Sequence, residues 1–194
     1  MTDDRPSMAL RPLNHWGDAL RAAKRTRSQL GRRSVALGIL MAGLGTTIAL
    51  HPRPLLVWNT TASAPLGLYA VGSAGALQTG DMVIARVPRA YRRLAAERRY
   101  LPENVPLVKR IAGGSGDTLC ARGPTVFVNG TRVADRLAAD RARRPMPWWT
   151  GCVTLRHGAL FLLMADNPAS FDGRYFGPTP RGDIIGSAWP LWTY

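Results

Sequence analysis

A chain of 194 residues that is 46% hydrophobic has room for about one domain with a proper core, which excludes a disordered chain. Its formal net charge of +14, from 26 Lys and Arg against 12 Asp and Glu, points to nucleic acid, anionic lipid or an acidic partner. No zinc-finger spacing, aromatic RNA-binding signature or helix-turn-helix pattern accompanies that charge, so a nucleic-acid module is not expected.

In chain order, the first feature is a basic leader. Residues 1–33 carry Arg5, Arg11, Arg21, Lys24, Arg25, Arg27, Arg32 and Arg33 against Asp3, Asp4 and Asp18. Then "SVALGILMAGLGTTIAL", Ser34 to Leu50, runs 17 residues without a charge. As a helix it rises about 25 Å, slightly short of a hydrocarbon core of roughly 30 Å, so flanking arginines must snorkel or the bilayer must thin. The one-sided charge predicts a transmembrane anchor over 34–50, the leader in the cytoplasm and residues 51–194 in the periplasm. A cleaved signal peptide fits the long leader poorly, and a buried core helix leaves the asymmetry unexplained. The leader charge then lies against anionic lipid of the inner leaflet. The outer surplus, in "RAYRRLAAERR" (89–99) and "RARR" (141–144), reads by default as a solvated basic face.

Beyond the anchor the pattern turns to short runs and period two: "LGLYAV", "DMVIARV", "PLVKRIA", "TVFVNGTRV", "ALFLLMA" and "DIIGSAWPLW". Each predicts a strand. Asn129-Gly130, between alternating residues, is the strongest hairpin signal, because both turn positions need positive φ. The one good helical candidate is Arg89 to Arg99, with Tyr91, Leu94 and Ala95 on one face. No repeat or second linker appears, so the outer part reads as one β-rich domain. Cys120 and Cys152 both fall there, where an oxidising compartment permits a disulfide closing a loop of about 32 residues.

His15, His51 and His157 are isolated in sequence, which supports neither a Ser-His-Asp triad nor a metal site. Lysine usage says more. Of 26 basic residues only Lys24 and Lys109 are lysine. Lys109 stands in the apolar run "VPLVKRIAGG" beside Arg110, where strand alternation sends the two side chains to opposite faces. A base must shed its proton, and arginine effectively does not. At a pKa of about 10.4 roughly one lysine in 2,500 is neutral at pH 7, so burial among Val105, Leu107, Val108 and Ile111 would have to lower it.

Four boxes in order, "NTTASAPLGLY", "GDMVIARVP", "VPLVKRIAGGSGD" and "ADNPASFDGRYFG", with the closing "IIGSAWPLW", resemble the type I signal peptidases with a Ser/Lys dyad. Within that family the chain is similar to the conjugative transfer signal peptidases of the TraF type, from the anchor to the C-terminus. The resemblance implies a mainly β catalytic domain, a signal-peptidase-like β-barrel or complex sheet, behind one N-terminal transmembrane helix. It implies Ser63 as nucleophile and Lys109 as general base, with the Ser63 N–H and the Thr61 hydroxyl as oxyanion hole. Ser170 and Asp172 would orient the lysine and brace the site, with Asp166 and Asn167 supporting that box. Ala64 stands where general signal peptidases usually have Met, and Gly173-Arg174 where Ser-Arg is usual; both look like the conjugative subgroup.

Ser63 follows Leu50 by 13 residues, at most about 43–47 Å of extended chain, so the nucleophile would work near a membrane surface. Trp58, Trp148, Trp149, Trp189 and Trp192 are candidates for the apolar surface that such docking needs, against core packing as the alternative. The resemblance further implies maturation of a pilin precursor in a conjugative type IV secretion apparatus, by cleavage or by cleavage with cyclisation. The partners would be the pilin precursor, inner-membrane lipid and the transfer apparatus, with no cofactor, metal or nucleic acid. Two other readings stand beside it: a non-enzymatic bitopic scaffold of the same apparatus, and a soluble self-cleaving regulator with a basic DNA-binding head.

Overall fold

The computed structural model describes residues 11–50 and 54–194, and it divides into two compact units, Met1–Pro52 and Arg53–Tyr194. The start of the expected leader and residues 51–53, where the anchor was expected to give way to the catalytic domain, lie outside the described residues.

The first unit is one helix, α1, Arg11–Leu50. It begins far upstream of the run that predicted a helix, and the uncharged stretch is only its last 17 residues. The hydroxyls of Ser34, Thr46 and Thr47 donate to Leu30, Ala42 and Leu44 carbonyls at 2.8–3.0 Å, so they add no unpaired donor to that stretch. Apolar side chains such as Leu37, Ile39 and Ile48 are exposed. Among the described residues no helix is long and apolar enough to cross a membrane. The anchor expected over 34–50 is thus not established by α1, whose apolar length falls about 5 Å short of a hydrocarbon core.

The second unit is mainly β, in two antiparallel sheets. Its elements are β1 Leu56–Asn59, β2 Gly67–Val71, β3 Met82–Ala85, α2 Arg89–Glu97, β4 Leu107–Gly113, β5 Thr118–Arg122, β6 Thr125–Val128, β7 Thr131–Asp135, β8 Gly151–Thr154, β9 Phe161–Leu163, α3 Gly173–Phe176 and β10 Ile184–Thr193. The larger sheet runs β1-β2-β10-β3-β4-β9, open between β1 and β9 rather than closed as a barrel; the smaller runs β7-β6-β5-β8.

Central strands of the larger sheet are covered on both faces, which is why they read as near-continuous apolar runs. Val83, Ala85, Leu107 and Ile111 enter one core with Leu162 and Phe176. Ile84 and Val108, one residue out of phase, enter a second with Val57, Tyr69 and Ile185. Leu119, Val126, Phe161 and Leu163 form a third core that joins the small sheet to β9. On β4 the expected alternation holds: Lys109 is buried while Arg110 is exposed and donates to the Gly80 carbonyl at 2.7 Å.

The predicted hairpin forms between β6 and β7, with φ 50° at Asn129 and 81° at Gly130, a pair of left-handed residues that turns with the strand twist. Cys120 and Cys152 are register partners on β5 and β8 and are joined as a disulfide. Strands β1, β5 and β8 carried no sequence signal of their own.

Gly67 opens β2 at φ +143°, and a Cβ there would lie 2.0 Å from the Trp192 carbonyl of β10. Gly67→Ala is expected to lower stability by about 1–3 kcal/mol through backbone strain and forced strand separation. Circular-dichroism melting checks this, and an unchanged midpoint would contradict the close β2–β10 approach.

Candidate active site

Strand alternation delivers the first two components. In β1 the outward residues are Leu56 and Trp58, the inward ones Val57 and Asn59, so the strand ends with a buried amide. The chain then turns through Thr60–Leu66 before β2. Asn59 holds that turn from inside. Its Nδ2 donates towards the carbonyls of Thr61, Ala64 and Pro65 at 3.0–3.2 Å. Its Oδ1 accepts the Thr61 N–H at 3.2 Å and the Thr61 hydroxyl at 2.8 Å. Tyr69, buried on β2, donates its hydroxyl to the Pro65 carbonyl at 2.8 Å and closes the turn from the other side. Ser63 sits at the crest, half-buried, with its Oγ 3.2 Å from the Thr61 Oγ1.

Lys109 enters from β4. Its Nζ lies 2.5 Å from the Ser63 Oγ and donates to the Ser170 Oγ at 2.9 Å. The side chain is 2% exposed, and among the described residues no carboxylate lies within ion-pair distance of it. Burial therefore dominates, pushing the amine from its ordinary 10.5 down to about 8. The field of Asp172 opposes that shift and the field of Arg174 assists it.

The third component is the loop between β9 and α3. Ser170 donates its backbone N–H to the Asn167 carbonyl at 3.0 Å, which fixes the hydroxyl that receives the amine. The Asn167 Nδ2 donates to the Ala62 carbonyl at 3.0 Å, lashing this loop to the turn that carries Ser63. Asp172 is fully buried beneath. Its Oδ1 accepts from the Arg174 Nε at 2.8 Å and from the Arg174 N–H, capping α3, while its Oδ2 accepts the Met164 N–H at 3.1 Å. Arg174, 1% exposed, returns its Nη2 to the Met164 carbonyl at 2.7 Å and its Nη1 to Pro168 at 3.2 Å. A buried guanidinium paired to a buried carboxylate, with carbonyls taking the spare protons, meets the condition under which such ions are tolerated.

The structure thus brings Ser63, Thr61, Lys109 and Ser170 together. Asp172 acts from one layer beneath, through the loop, rather than on the amine. Asp166, expected to support this box, is exposed and joins none of these hydrogen bonds; the loop is tied by Asn167 and Arg174 instead. Gly173 has a local reason: a Cβ there would sit 2.6 Å from the Phe161 ring and 2.7 Å from the Leu162 carbonyl, so no serine fits. Sequence reading missed Asn59 and Arg174. The available signals were a polar residue at an inward strand position and a charge inside an otherwise buried box. Among the described residues no group of three or more His, Cys, Asp or Glu is placed to hold a metal ion.

Ser63, Lys109 and Ser170 open onto a cleft of about 530 Å3 whose apolar lining includes Leu101, Leu107, Phe171 and Tyr175. The tryptophans divide. Trp58, Trp189 and Trp192 are exposed, Trp58 and Trp192 with ring centroids 5.6 Å apart. Trp149 is half-buried against the third core and donates to the Gly173 carbonyl at 3.1 Å, and Trp148, though also exposed, packs under the Arg136 guanidinium.

A family model described as "Signal peptidase, peptidase S26" matches residues 29–192. A plasmid transfer protein TraF from Escherichia coli is 30% identical over 165 residues, covering 78% of this chain and 92% of that protein. A second Escherichia coli protein of the same description is 33% identical over 146 residues, covering 70% and 82%. A conjugal transfer protein TraF from Agrobacterium fabrum is 31% identical over 146 residues, covering 70% and 81%. A signal peptidase I structure from Enterococcus faecalis matches over 59% of this chain and 98% of its own at 22% identity, with a TM-score of 0.36. The chain belongs to the peptidase S26 family of signal peptidases.

A buried amine with a depressed pKa weakens the fold wherever it is charged. The penalty is complete below about pH 8 and is relieved as pH climbs towards 10.5, where the unfolded chain also gives up its proton. Lys109→Met is therefore expected to raise stability at pH 7, by at most about 3 kcal/mol, with the advantage shrinking above pH 8. Melting curves at pH 7 and 9.5 check this; a variant less stable than the parent at pH 7 would contradict it.

Proposed function

We propose that this protein is a serine endopeptidase of a conjugative type IV secretion system that cleaves a pilin precursor through an acyl-enzyme on Ser63. The observation that carries the proposal is the 2.5 Å contact between the Ser63 Oγ and the buried amine of Lys109. With its pKa lowered to about 8, roughly a tenth of the amine is neutral at pH 7, against about one part in 2,500 for an ordinary lysine. The similarity to TraF proteins described as plasmid or conjugal transfer proteins supports the biological setting.

In the proposed reaction the neutral Lys109 Nζ takes the Ser63 hydroxyl proton as the Oγ attacks the scissile carbonyl. Among the described residues the Ser63 N–H donates to no backbone carbonyl, which leaves it free for the developing oxyanion. The Thr61 hydroxyl now donates to Asn59, so it joins the oxyanion hole only by rotating off that amide oxygen. The protonated Lys109 hands its proton to the leaving amine, breaking the peptide bond and leaving an ester on Ser63. Water or the pilin's own amino terminus then attacks that ester, giving a trimmed chain or a circle lighter by one water.

A membrane-surface location is part of the same proposal. Trp58, Trp189, Leu191, Trp192 and Tyr194 form an exposed apolar group on β1 and the end of β10, the residue types that settle at a lipid–water boundary. The arginine-rich α1 with its uncharged end supports a leader held against anionic lipid.

Ser63→Ala and Lys109→Arg are each expected to reduce pilin processing by about a thousandfold or more while leaving a folded chain. Mass spectrometry of the pilin from cells carrying each variant reads cleavage, its position and ring closure together. Near-normal processing by Lys109→Arg would rule out the lysine as base. With the parent enzyme the cleavage rate is expected to rise with pH through about 8 and then level off, because the amine is active only after losing its proton.

A further inference from the structure

The cleft lined by Ser63 and Lys109 is also lined by the turn after α2 and by the segment before β8, and its lining is of two characters. One part is small or apolar, with Ala62, Ala169, Leu101, Leu107 and Phe171. Another part is formed by Arg98, Arg99, Arg141 and Arg144 against a single carboxylate, Asp140. That carboxylate is already engaged. It accepts from the Tyr100 hydroxyl at 2.5 Å, the Arg144 Nε at 2.7 Å, and the backbone N–H groups of Ala142 and Arg144 at 2.9 and 2.8 Å. Those bonds hold the Asp140 carboxyl well below the usual carboxylate range, so it stays charged without offering spare acceptor capacity.

The arginines divide by task. Arg144 is committed to Asp140 and lies over the Tyr100 ring, and Arg98 donates to the Pro145 carbonyl at 2.8 Å. Arg99 and Arg141 are exposed and, among the described residues, have no carboxylate within ion-pair distance. Arg99 is held in the left-handed region, φ 59°, in the turn that follows α2. Two free guanidiniums on the wall of a partly apolar groove make a local positive field, focused because the groove excludes part of the solvent. A guanidinium fork pairs two-pronged with a carboxylate, which fits an acidic peptide group better than a diffuse surface charge.

We propose that this arginine-lined part of the cleft selects substrates carrying a carboxylate a few residues from the scissile bond, supplied by an Asp or Glu side chain or by the chain's own C-terminus. The inference rests on the peptidase reading above and adds a recognition element beside the Ser63–Lys109 pair. It also gives the "RARR" segment a task other than solvation.

Three internally quenched peptides with one Ala-Xaa-Ala core test it with the full chain in neutral-lipid vesicles. One carries Glu in its flank with an amidated end, one carries Gln with an amidated end, and one carries Gln with a free carboxylate. The acidic peptides are expected to show kcat/KM about tenfold above the amidated Gln peptide at low salt, a ratio that collapses towards one near 0.5 M salt. Glu above Gln assigns the preference to a side chain; the free end above the amidated end assigns it to the terminus. Arg99→Ser with Arg141→Ser is expected to bring the acidic-to-neutral ratio close to one. Equal, salt-insensitive cleavage overturns the inference and leaves the peptidase intact, whereas Ser63-independent cleavage or none overturns the peptidase reading itself. Binding of the labelled peptides to Ser63→Ala decides the inference separately, since equal affinity for acidic and neutral peptides overturns it whatever the activity. Loss of binding to anionic vesicles in the double variant, with the peptide ratio unchanged, assigns the two arginines to lipid and overturns it too.

Discussion

A primary amine in a protein interior usually finds a carboxylate, because an uncompensated buried charge is expensive. Lys109 has two hydroxyls instead, Ser63 and Ser170. Hydroxyls accept from an ammonium and can also donate to a neutral amine, so the pair tolerates either protonation state without dictating one. Burial then shifts the balance towards the neutral amine. Had Asp172 reached the amine directly, the ion pair would have locked the proton on. Its placement a layer lower, neutralised by Arg174, keeps that field from dominating.

Much of the remaining architecture serves to hold three loops around that amine. Asn59 organises the turn bearing Ser63 from within, replacing the backbone ladder that the turn lacks with a single side chain bonded on both its polar atoms. Asn167 ties the Ser63 turn to the Ser170 loop, and Asp172 with Arg174 anchors that loop to Met164 at the end of β9. Each tie joins segments that no strand pairing holds together. Gly173 belongs to the same design, because only a residue without a side chain lets α3 start against the Phe161 ring.

Much of this was legible in the residues, and the remainder was hidden for physical reasons. The strands buried on both faces announced themselves as apolar runs, the Asn129-Gly130 turn by its backbone demand, and Lys109 by being lysine in a chain that otherwise prefers arginine. Strands β1, β5 and β8 were silent: β1 turns apolar Leu56 and Trp58 outward and polar Asn59 inward, β5 buries only Leu119 and Ala121 between Thr118, Cys120 and Arg122, and β8 is exposed throughout. Helix α1 extends to Arg11 through a stretch whose charges mask any periodic face. At the site, box order led to the right neighbourhood but not to the division of labour. Asp166 stands two residues after the buried Met164, yet it is exposed, while Asn59, at the last position of β1, is buried. A linear pattern records that a polar residue is present; whether it faces inward depends on where the strand before it ends.

The contacts that define the site span the chain: Ser63 and Lys109 are 46 residues apart, and Lys109 and Ser170 a further 61. Neither is local: both need β4 in its place between β3 and β9, and the second also needs the loop before α3. Contacts so distant in sequence make assembly slow. An emerging or partly assembled chain therefore carries an ordinary serine and an ordinary, fully protonated lysine. On the proposed reading the polypeptide acquires its power to cut proteins only once these distant segments have met, a delay that shields the chain and its neighbours during synthesis.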